Sequence, residues 1–399
     1  MGDLYWPGDE RAGDVFGQSA FLSAMVRVEQ AWLTALVAAD LAPVDADLVA
    51  LVRDDDVATV CAGAESGGNP VIPLLDLLRT RSASPETAAW IHRGLTSQDV
   101  VDTALMLCAR DAISRLQGEV DQQASALAAL VDRHRATVMA GRTLTQHAVP
   151  ITFGLKAAQW LAGVLDVRDA LAAAETPVQF GGAAGTLAAT VETARIGGSS
   201  DPAKVALAVA AEASASLGLT ESRPWQTNRG AVTRIGDVLV TATDAWGRIA
   251  NDVLVLSRPE IGELSEATGG GSSTMPHKAN PVLSVLVRRA ALASPGLAAQ
   301  LHLAAAESVD ERADGAWHLE WSTLATLARR TVVAAAQTTE LVRGLRVDAE
   351  RMRATADASA DLLTEQRSLG GDALGPASYL GASDHVIDAI LDRYRGNRP

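Results

Sequence analysis

Residues 96–131 read TSQDVVDTALMLCARDAISRLQGEVDQQASALAALV, and this stretch decides the fold class. Its apolar residues recur at steps of three, four or seven, which places them on one face of a helix; they are Leu105, Cys108, Ala112, Leu116, Val120, Leu127 and Val131. Thr96 and Asp99 have the spacing of a capping box at the start of that helix. The pattern predicts a helix of about 35 residues, spanning roughly 50 Å. Helices of this length are typical of elongated bundles.

The same helical spacing recurs in residues 151–174, 231–256 and 281–340, the last with a predicted break near Pro295. Strand signals are weak, because few β-branched residues alternate and no Asn-Gly or Asp-Gly hairpin lies between such runs. We therefore predict an all-α protein. Turn-rich segments divide the chain into three predicted parts: an N-terminal helical domain (1–94), a central domain of long helices (95–342) and a small C-terminal helical domain (343–399).

The amino-acid composition limits the kinds of partner and the compartment that we expect for the protein. The chain has 34 basic and 48 acidic residues and a formal net charge of −14, so a basic face for nucleic acid is not expected. Its two cysteines, Cys61 and Cys108, exclude a disulfide framework and favour a reducing cytoplasm. Charged residues interrupt the long apolar runs, and the N-terminus lacks a basic region followed by an apolar one. We therefore expect neither a membrane span nor a secretory signal.

Residues 269–281 read GGGSSTMPHKANP and form the most unusual segment. Three glycines favour a flexible hinge, and two serines bring hydroxyl groups. Asn280 and Pro281 have the pattern of an N-cap and first residue of a new helix, whose N-terminus would attract an anion beside Lys278. The segment is predicted to be a mobile loop that brings hydroxyls onto an anion site. An ordinary surface loop before a capped helix would have the same composition.

Other polar segments are less specific. The hydroxyls at the start of the long helix, at residues 96–99, cap it and could also bind a carboxylate. Residues 141–150, GRTLTQHAVP, are predicted to link two long helices, and a linker histidine such as His147 is more often a surface residue than a catalyst. Four acidic residues are predicted to share a helix face beside Arg312 and are interpreted as ion-paired or solvated; they are Glu307, Asp310, Glu311 and Asp314. We expect no metal and no cofactor.

Together these segments resemble the fumarase/aspartase superfamily. Residues 271–281 resemble its signature loop at every fixed position, and residues 96–99 and 141–150 match its two other shared regions in the same order. The resemblance implies a three-domain, nearly all-α fold whose long helices assemble into a homotetramer. It also implies that each active site collects its three regions from three subunits and binds a small substrate without a cofactor or metal.

The resemblance also assigns roles to residues. Ser272 transfers a proton to or from carbon, and Lys278 stabilises the negative charge that develops, with help from the helix that follows Asn280. Arginine pairs with carboxylates through two hydrogen bonds, so Arg11 and Arg312 are candidate substrate partners, although both could be structural. The remaining implied substrate-binding residues are Thr96, Ser97, Gln146, His147, Ser273, Met275 and Asn280. For His147 the alternative role is to orient Ser272.

One departure from the family pattern bears on the reaction. Many superfamily lyases carry a proton-donating histidine at the position of Leu144. Hydroxide and amines leave poorly without a proton, whereas a carboxylate, with a conjugate-acid pKa of about 4, leaves as a stable anion. The resemblance is strongest to the carboxymuconate cycloisomerases, through residues 6–9, 96–103, 146–154 and 315–321, and implies a tricarboxylate diene as substrate. Leu144 fits that reaction. The alternatives are a C–N lyase similar to adenylosuccinate lyase and a non-catalytic protein similar to the lens crystallins of this superfamily.

Overall fold

A computed structural model describes residues 2–43, 45–267, 270–271, 274–275 and 278–396. The α-helices in these ranges are α1 (Gln18–Ala38), α2 (Asp56–Gly67), α3 (Val71–Arg81), α4 (Pro85–Trp90), α5 (Ser97–Arg133), α6 (Phe153–Ala172), α7 (Ala188–Ile196), α8 (Pro202–Leu217), α9 (Gly230–Leu256), α10 (Val282–Ala306), α11 (Gly315–Arg343), α12 (Ala349–Ala358), α13 (Thr364–Ser368) and α14 (Ser383–Arg395). The strands there are β1 (Val138–Thr143), β2 (Gln146–Thr152), β3 (Leu264–Glu266) and β4 (Leu345–Val347). Helices dominate, and the all-α prediction is confirmed.

The long helices α5, α6, α9, α10 and α11 pack side by side into a central bundle. Helix α5 begins at Ser97, and the predicted capping box is present, with the Thr96 N–H donating to Asp99 Oδ2 over 2.9 Å. The predicted apolar face of α5 is buried in the core that runs through the bundle. The periodicity therefore located this helix correctly, together with α6 and α9.

The break predicted at Pro295 is wrong. Pro295 lies inside α10, which continues to Ala306, and the chain leaves the helix only at residues 307–314. Proline removes one backbone donor from a helix, but the packing of α10 against α9 and α11 keeps the helix continuous. As a consequence, the acidic residues from Glu307 to Asp314 lie in a connecting loop and do not share the predicted helix face.

Residues 141–150 form most of a β-hairpin and are not a simple linker between helices. Strands β1 and β2 pair antiparallel, and Thr143 faces Gln146 across a two-residue turn. The turn residues Leu144 and Thr145 both have positive φ, at 47° and 72°. Asn-Gly normally fills such turns, so the sequence carried no hairpin signal here. A second small sheet pairs β3 with β4, joining the segment before the signature loop to the C-terminal helices.

A buried ion-pair network joins three helices at one end of the bundle. Arg229, which precedes α9, donates two hydrogen bonds to Asp102 on α5, at 2.7 and 2.9 Å. It also donates to Glu320 on α11, at 2.6 to 3.1 Å. Trp317 Nε1 donates to Asp102 as well, over 2.9 Å. The side chains of the three charged residues are at most 1% exposed, so a single guanidinium is the shared ion-pair partner of two carboxyl groups inside the core.

Two of the described helices, α1 and α10, are long and apolar enough to cross a membrane by length and composition alone. This is a weak indication, because buried helices of a packed core and N-terminal signal sequences meet the same criterion. Helix α1 contributes eleven buried residues to the structure, and α10 packs against α9 and α11. The expectation that the chain has no membrane span stays a prediction.

Candidate active site

The first candidate region lies at the N-terminal end of α5, where Thr96 meets Arg312. Arg312 Nη1 donates a hydrogen bond to Thr96 Oγ1 over 2.8 Å. Thr96 and Ser97 are half-buried and Arg312 is exposed. The structure therefore brings together three residues predicted to bind substrate: two hydroxyls and one guanidinium, next to the N-terminus of a 37-residue helix. Such a group of donors suits a carboxylate.

The side chain of Asp99 holds the backbone around Thr96 in place. Its fully buried carboxylate accepts hydrogen bonds from the backbone N–H groups of Thr96, Gly181 and Gly182, at 2.9 to 3.0 Å. Burial raises the pKa of Asp99 to about 7, and these backbone donors with the Gln179 amide act in the opposite direction. The sequence showed only the cap, whereas the structure shows that Asp99 also holds residues 179–182 against α5.

The second region is the β1–β2 hairpin. Gln146 and His147 are exposed on β2, and Leu144 at the tip is 95% exposed. His147 Nδ1 lies 2.9 Å from Ser359 Oγ, which connects the hairpin to the C-terminal helices. Near the turn of the hairpin, Arg142 donates two hydrogen bonds to the buried carboxylate of Glu263, at 2.7 and 3.0 Å. The hairpin thus presents two polar side chains and an unusually exposed leucine to the outside.

The third region is the signature loop. Ser272 and Ser273, the predicted proton-transfer serine and its neighbour, lie outside the described residues. Gly270 and Asn280 exchange two backbone hydrogen bonds, at 2.8 and 3.0 Å, and so close the neck of the loop. Lys278 and Met275 are exposed, and the Lys278 N–H donates to the Met275 carbonyl over 3.0 Å. An exposed lysine in this loop is available to approach a substrate held by another region.

Asn280 was predicted to be the N-cap of α10, and the N-terminus of that helix was predicted to be open to a substrate anion. Both predictions are wrong, because α10 begins at Val282 and a carboxylate of the chain itself lies at its N-terminus. Glu266 occupies that N-terminus: its carboxylate accepts from the N–H groups of Leu283 (3.1 Å) and Ser284 (2.8 Å), and from Ser284 Oγ (2.7 Å). Glu266 is the last residue of strand β3 and lies 17 residues before Leu283 in the chain. Local sequence patterns do not reveal a contact over this separation. Of the two predicted sources of charge stabilisation, this leaves Lys278, whose role stays a prediction.

Removal of the Glu266 carboxylate tests this assignment. Glu266→Ala leaves two N–H groups at the start of α10 without their partner, so we expect the free energy of unfolding to fall by about 1–2 kcal/mol. Glu307→Ala, at the other end of the same helix, is the matched control and is expected to be neutral, because an acidic residue there gains nothing from the helix dipole. Denaturant unfolding of both variants measures this. Equal effects of the two substitutions would contradict the capping role of Glu266.

The first region and the hairpin do not meet within one chain. Thr96 lies at the start of α5 and the hairpin follows its end, so the 37-residue helix separates them by roughly 55 Å. Arg11 is also remote from Arg312: it pairs with Glu340 near the end of α11 (2.7 Å), whereas Arg312 precedes the start of that helix. Arg11 lines a separate cavity of about 460 Å³. The structure therefore groups Thr96, Ser97 and Arg312, and leaves Arg11 apart from them.

No metal-binding cluster occurs among the described residues: they contain no group of three or more His, Cys, Asp or Glu side chains arranged to hold an ion. The expectation that the protein needs no metal or cofactor stays a prediction. Sequence reasoning missed Asp102, Arg229, Glu263, Glu266 and Glu320. Their partners are distant in the chain, and periodicity reports only local structure.

Comparison with known proteins agrees with this architecture. A family model described as lyase matches residues 29–296, and the chain belongs to this lyase family, within the fumarase/aspartase superfamily. It is 42% identical over 361 residues to nitrosuccinate lyase of Streptomyces davaonensis, covering 88% of this chain and 75% of the relative. It is 37% identical over 388 residues to 3-carboxy-cis,cis-muconate cycloisomerase of Bradyrhizobium diazoefficiens, covering 94% and 81%. The crystal structure of the 3-carboxy-cis,cis-muconate lactonizing enzyme of Pseudomonas putida superposes with a TM-score of 0.82 at 28% identity, covering 96% of this chain and 95% of that one.

Proposed function

We propose that the protein is a cycloisomerase that converts 3-carboxy-cis,cis-muconate to 4-carboxymuconolactone. Leu144, which is 95% exposed at the hairpin tip where many lyases of the superfamily present a proton-donating histidine, limits the reaction to leaving groups that need no proton. The choice of the muconate among such substrates is supported by 37% identity to a 3-carboxy-cis,cis-muconate cycloisomerase over 94% of this chain. The φ of Leu144, at 47°, is the left-handed conformation that a two-residue hairpin turn requires, so the turn holds this side chain at the tip. A side chain that cannot donate a proton suits a reaction whose leaving group departs as a stable anion.

The proposed chemistry needs one proton and no other reactant. A substrate carboxylate oxygen adds to one alkene carbon and forms the lactone C–O bond. The alkene electron pair moves to the adjacent carbon, which is α to another carboxylate, and Ser272 delivers a proton there. In the reverse direction Ser272 removes that proton and the carboxylate leaves. Serine is a weak acid and a weak base, so Lys278 is required to stabilise the carbanion-like intermediate.

The proposed site is built from several copies of the chain, because Thr96 and Gln146 lie at opposite ends of α5. Thr96, Ser97 and Arg312 would hold one substrate carboxylate, and the hairpin of another subunit would hold a second. The exposed face of α10 supports the homotetramer. It carries Val285, Leu292 and Leu303 at 52%, 73% and 63% exposure, which association would remove from water.

Mixing two inactive variants tests the shared site. We expect Thr96→Ala and Gln146→Ala each to lose most activity, because each removes a hydrogen-bond donor to the substrate. In a tetramer reassembled from equal amounts of both, a site is intact when its two regions come from the complementary chains. Random assembly then restores activity to about one quarter of the wild-type value. Each variant taken alone through the same unfolding and refolding is the control, and a mixture that gains nothing contradicts the shared site.

Elimination of nitrite from nitrosuccinate is the second candidate, because the chain is 42% identical to a nitrosuccinate lyase. In that reaction the base would remove a proton α to a carboxylate, and nitrite would leave from the neighbouring carbon. Nitrite, like a carboxylate, is a stable anion. Leu144 is therefore compatible with both candidates and disfavours only substrates with hydroxide or amine leaving groups.

Steady-state assays separate the candidates. Loss of the ultraviolet band of 3-carboxy-cis,cis-muconate measures the first activity and release of nitrite measures the second. Adenylosuccinate and argininosuccinate serve as substrates with amine leaving groups. The proposal predicts the largest kcat/KM for the muconate and no cleavage of the two amine substrates. A larger kcat/KM for nitrosuccinate would replace the first candidate by the second.

A further inference from the structure

Residues 91–95, directly before Thr96, are held by side chains of two N-terminal helices. Arg79 Nη2 on α3 donates to the Ile91 carbonyl over 3.2 Å. Trp32 Nε1 on α1 donates to the Arg93 carbonyl over 2.9 Å. Between these contacts, His92 Nδ1 lies 2.7 Å from Glu29 Oε1 on α1. The position of the residues that follow thus depends on contacts made by this short segment.

The backbone of the segment is strained. His92 has φ of +68°, a left-handed conformation that costs free energy for residues other than glycine and persists only where the surroundings impose it. Gly94 has φ of +90°, and a Cβ atom there would clash with Thr190 Oγ1. The turn therefore needs the side-chain contacts around it to keep its shape.

Glu29 and His92 form a partly buried pair, which is an ion pair when the imidazole is protonated. Glu29 is 1% exposed, and its second oxygen, Oε2, has no hydrogen-bond partner among the described residues. A buried carboxylate is costly without a counter-charge, which the imidazolium of His92 supplies. Burial lowers the pKa of His92, but Glu29 and, more weakly, Asp99 on α5 outweigh it, while Arg79 opposes them; the net pKa is raised above 6.5.

We propose that Glu29 and His92 are a positioning pair for substrate binding. The ion pair holds residues 91–95 in the strained turn, and this turn presents the Thr96 and Ser97 hydroxyls to a substrate carboxylate. Neither member touches the substrate. The inference rests on the proposed function, because it assigns substrate binding to the start of α5.

The pair gives a defined pH dependence. Because the folded-state pKa of His92 is raised, its contribution is fully present below the unfolded-state pKa and is lost as the pH rises through the folded-state value. Above that value the counter-charge of Glu29 disappears and the turn loosens. Substrate binding should weaken on the alkaline side, whereas the proton-transfer step is unaffected by this group.

The kinetic test compares KM and kcat of wild type, His92→Asn and Glu29→Gln between about pH 6 and pH 9.5. Asparagine tolerates the left-handed conformation, so the fold is retained. We expect His92→Asn to raise KM about tenfold at about pH 6, the effect of one misplaced hydrogen-bond donor to a charged group, with kcat nearly unchanged. The KM of the wild type is expected to rise at alkaline pH, and the KM of His92→Asn is not. His302→Gln, in an exposed pair with Asp237, is the control and should match the wild type. A His92→Asn profile parallel to that of the wild type would overturn the proposal.

A second readout needs no substrate. Hydrogen exchange of the amides in residues 91–97 is compared between wild type and His92→Asn at each pH. The proposal predicts extra protection in the wild type at pH 6 that disappears at alkaline pH. If the ratio of the exchange rates of the two proteins stays constant with pH, the positioning pair is refuted even if the enzyme is active. A pH-dependent ratio without any turnover would refute the proposed function and leave the ion pair's control of the turn standing.

Discussion

Replacing Ser272 by alanine is expected to lower kcat for loss of the muconate about 10³-fold, with a much smaller change in KM. The hydroxyl is the only group assigned to move a proton to carbon, and positioned proton transfer contributes about 10²- to 10⁴-fold to a rate. The substrate carboxylates would still bind through Thr96, Ser97 and Arg312, which explains the small effect on KM.

Two comparisons make this prediction specific. Ser273→Ala is expected to cost less than Ser272→Ala, because Ser273 is assigned to binding and not to proton transfer. Circular dichroism and size-exclusion chromatography of both variants control for folding and assembly. Near-normal turnover of Ser272→Ala, or a larger loss for Ser273→Ala, would contradict the assignment.

Replacing Arg229 by methionine is expected to lower the free energy of unfolding by about 3–5 kcal/mol, since it leaves the buried carboxylates of Asp102 and Glu320 without a counter-charge. Burial raises the pKa of Glu320 even while Arg229 is present. In the variant the buried Glu320 carboxyl loses its counter-charge, so it will hold its proton in the folded state at pH values where the unfolded chain has lost it. The stability of the variant relative to wild type should therefore fall as the pH rises.

Denaturant unfolding at two pH values measures this effect. Arg195→Met is the matched control, because Arg195 pairs with Glu192 on the surface at 65% exposure and its loss should leave the unfolding midpoint unchanged. Adding Asp102→Asn and Glu320→Gln to Arg229→Met should recover part of the loss, because neutral groups are cheaper to bury. A variant as stable as wild type at both pH values would contradict the role assigned to this network.

The sequence predicted best what is determined locally. The start of α5 follows from the Thr96 cap and its length from uninterrupted apolar spacing, and both depend on residues within a few positions of each other. The hairpin escaped prediction because Leu144 and Thr145 adopt positive φ without the Asn-Gly pair that usually signals it. The helix break predicted at Pro295 is absent because the tertiary packing of α10 outweighs the loss of one helix hydrogen bond.

In the candidate site, too, local motifs were predicted from the sequence and contacts between distant residues were not. The serine and lysine of the signature loop were predicted from a short contiguous motif. The buried ion pairs of the structure were not predicted, because their partners are far apart in the chain: Glu29 lies 63 residues from His92, and Asp102 lies 127 residues from Arg229. Only the folded structure brings such pairs together. The separation of Thr96 from the hairpin along α5 likewise became apparent only from the structure.

Proton NMR of the product formed in D2O tests the central claim most directly. The account predicts that wild-type protein converts 3-carboxy-cis,cis-muconate to a lactone carrying one deuterium, at the carbon next to the new C–O bond and α to a carboxylate. The Ser272→Ala variant should form this product only at a greatly reduced rate. Failure of the wild-type protein to form the lactone, or a lactone without deuterium at that carbon, would contradict the account.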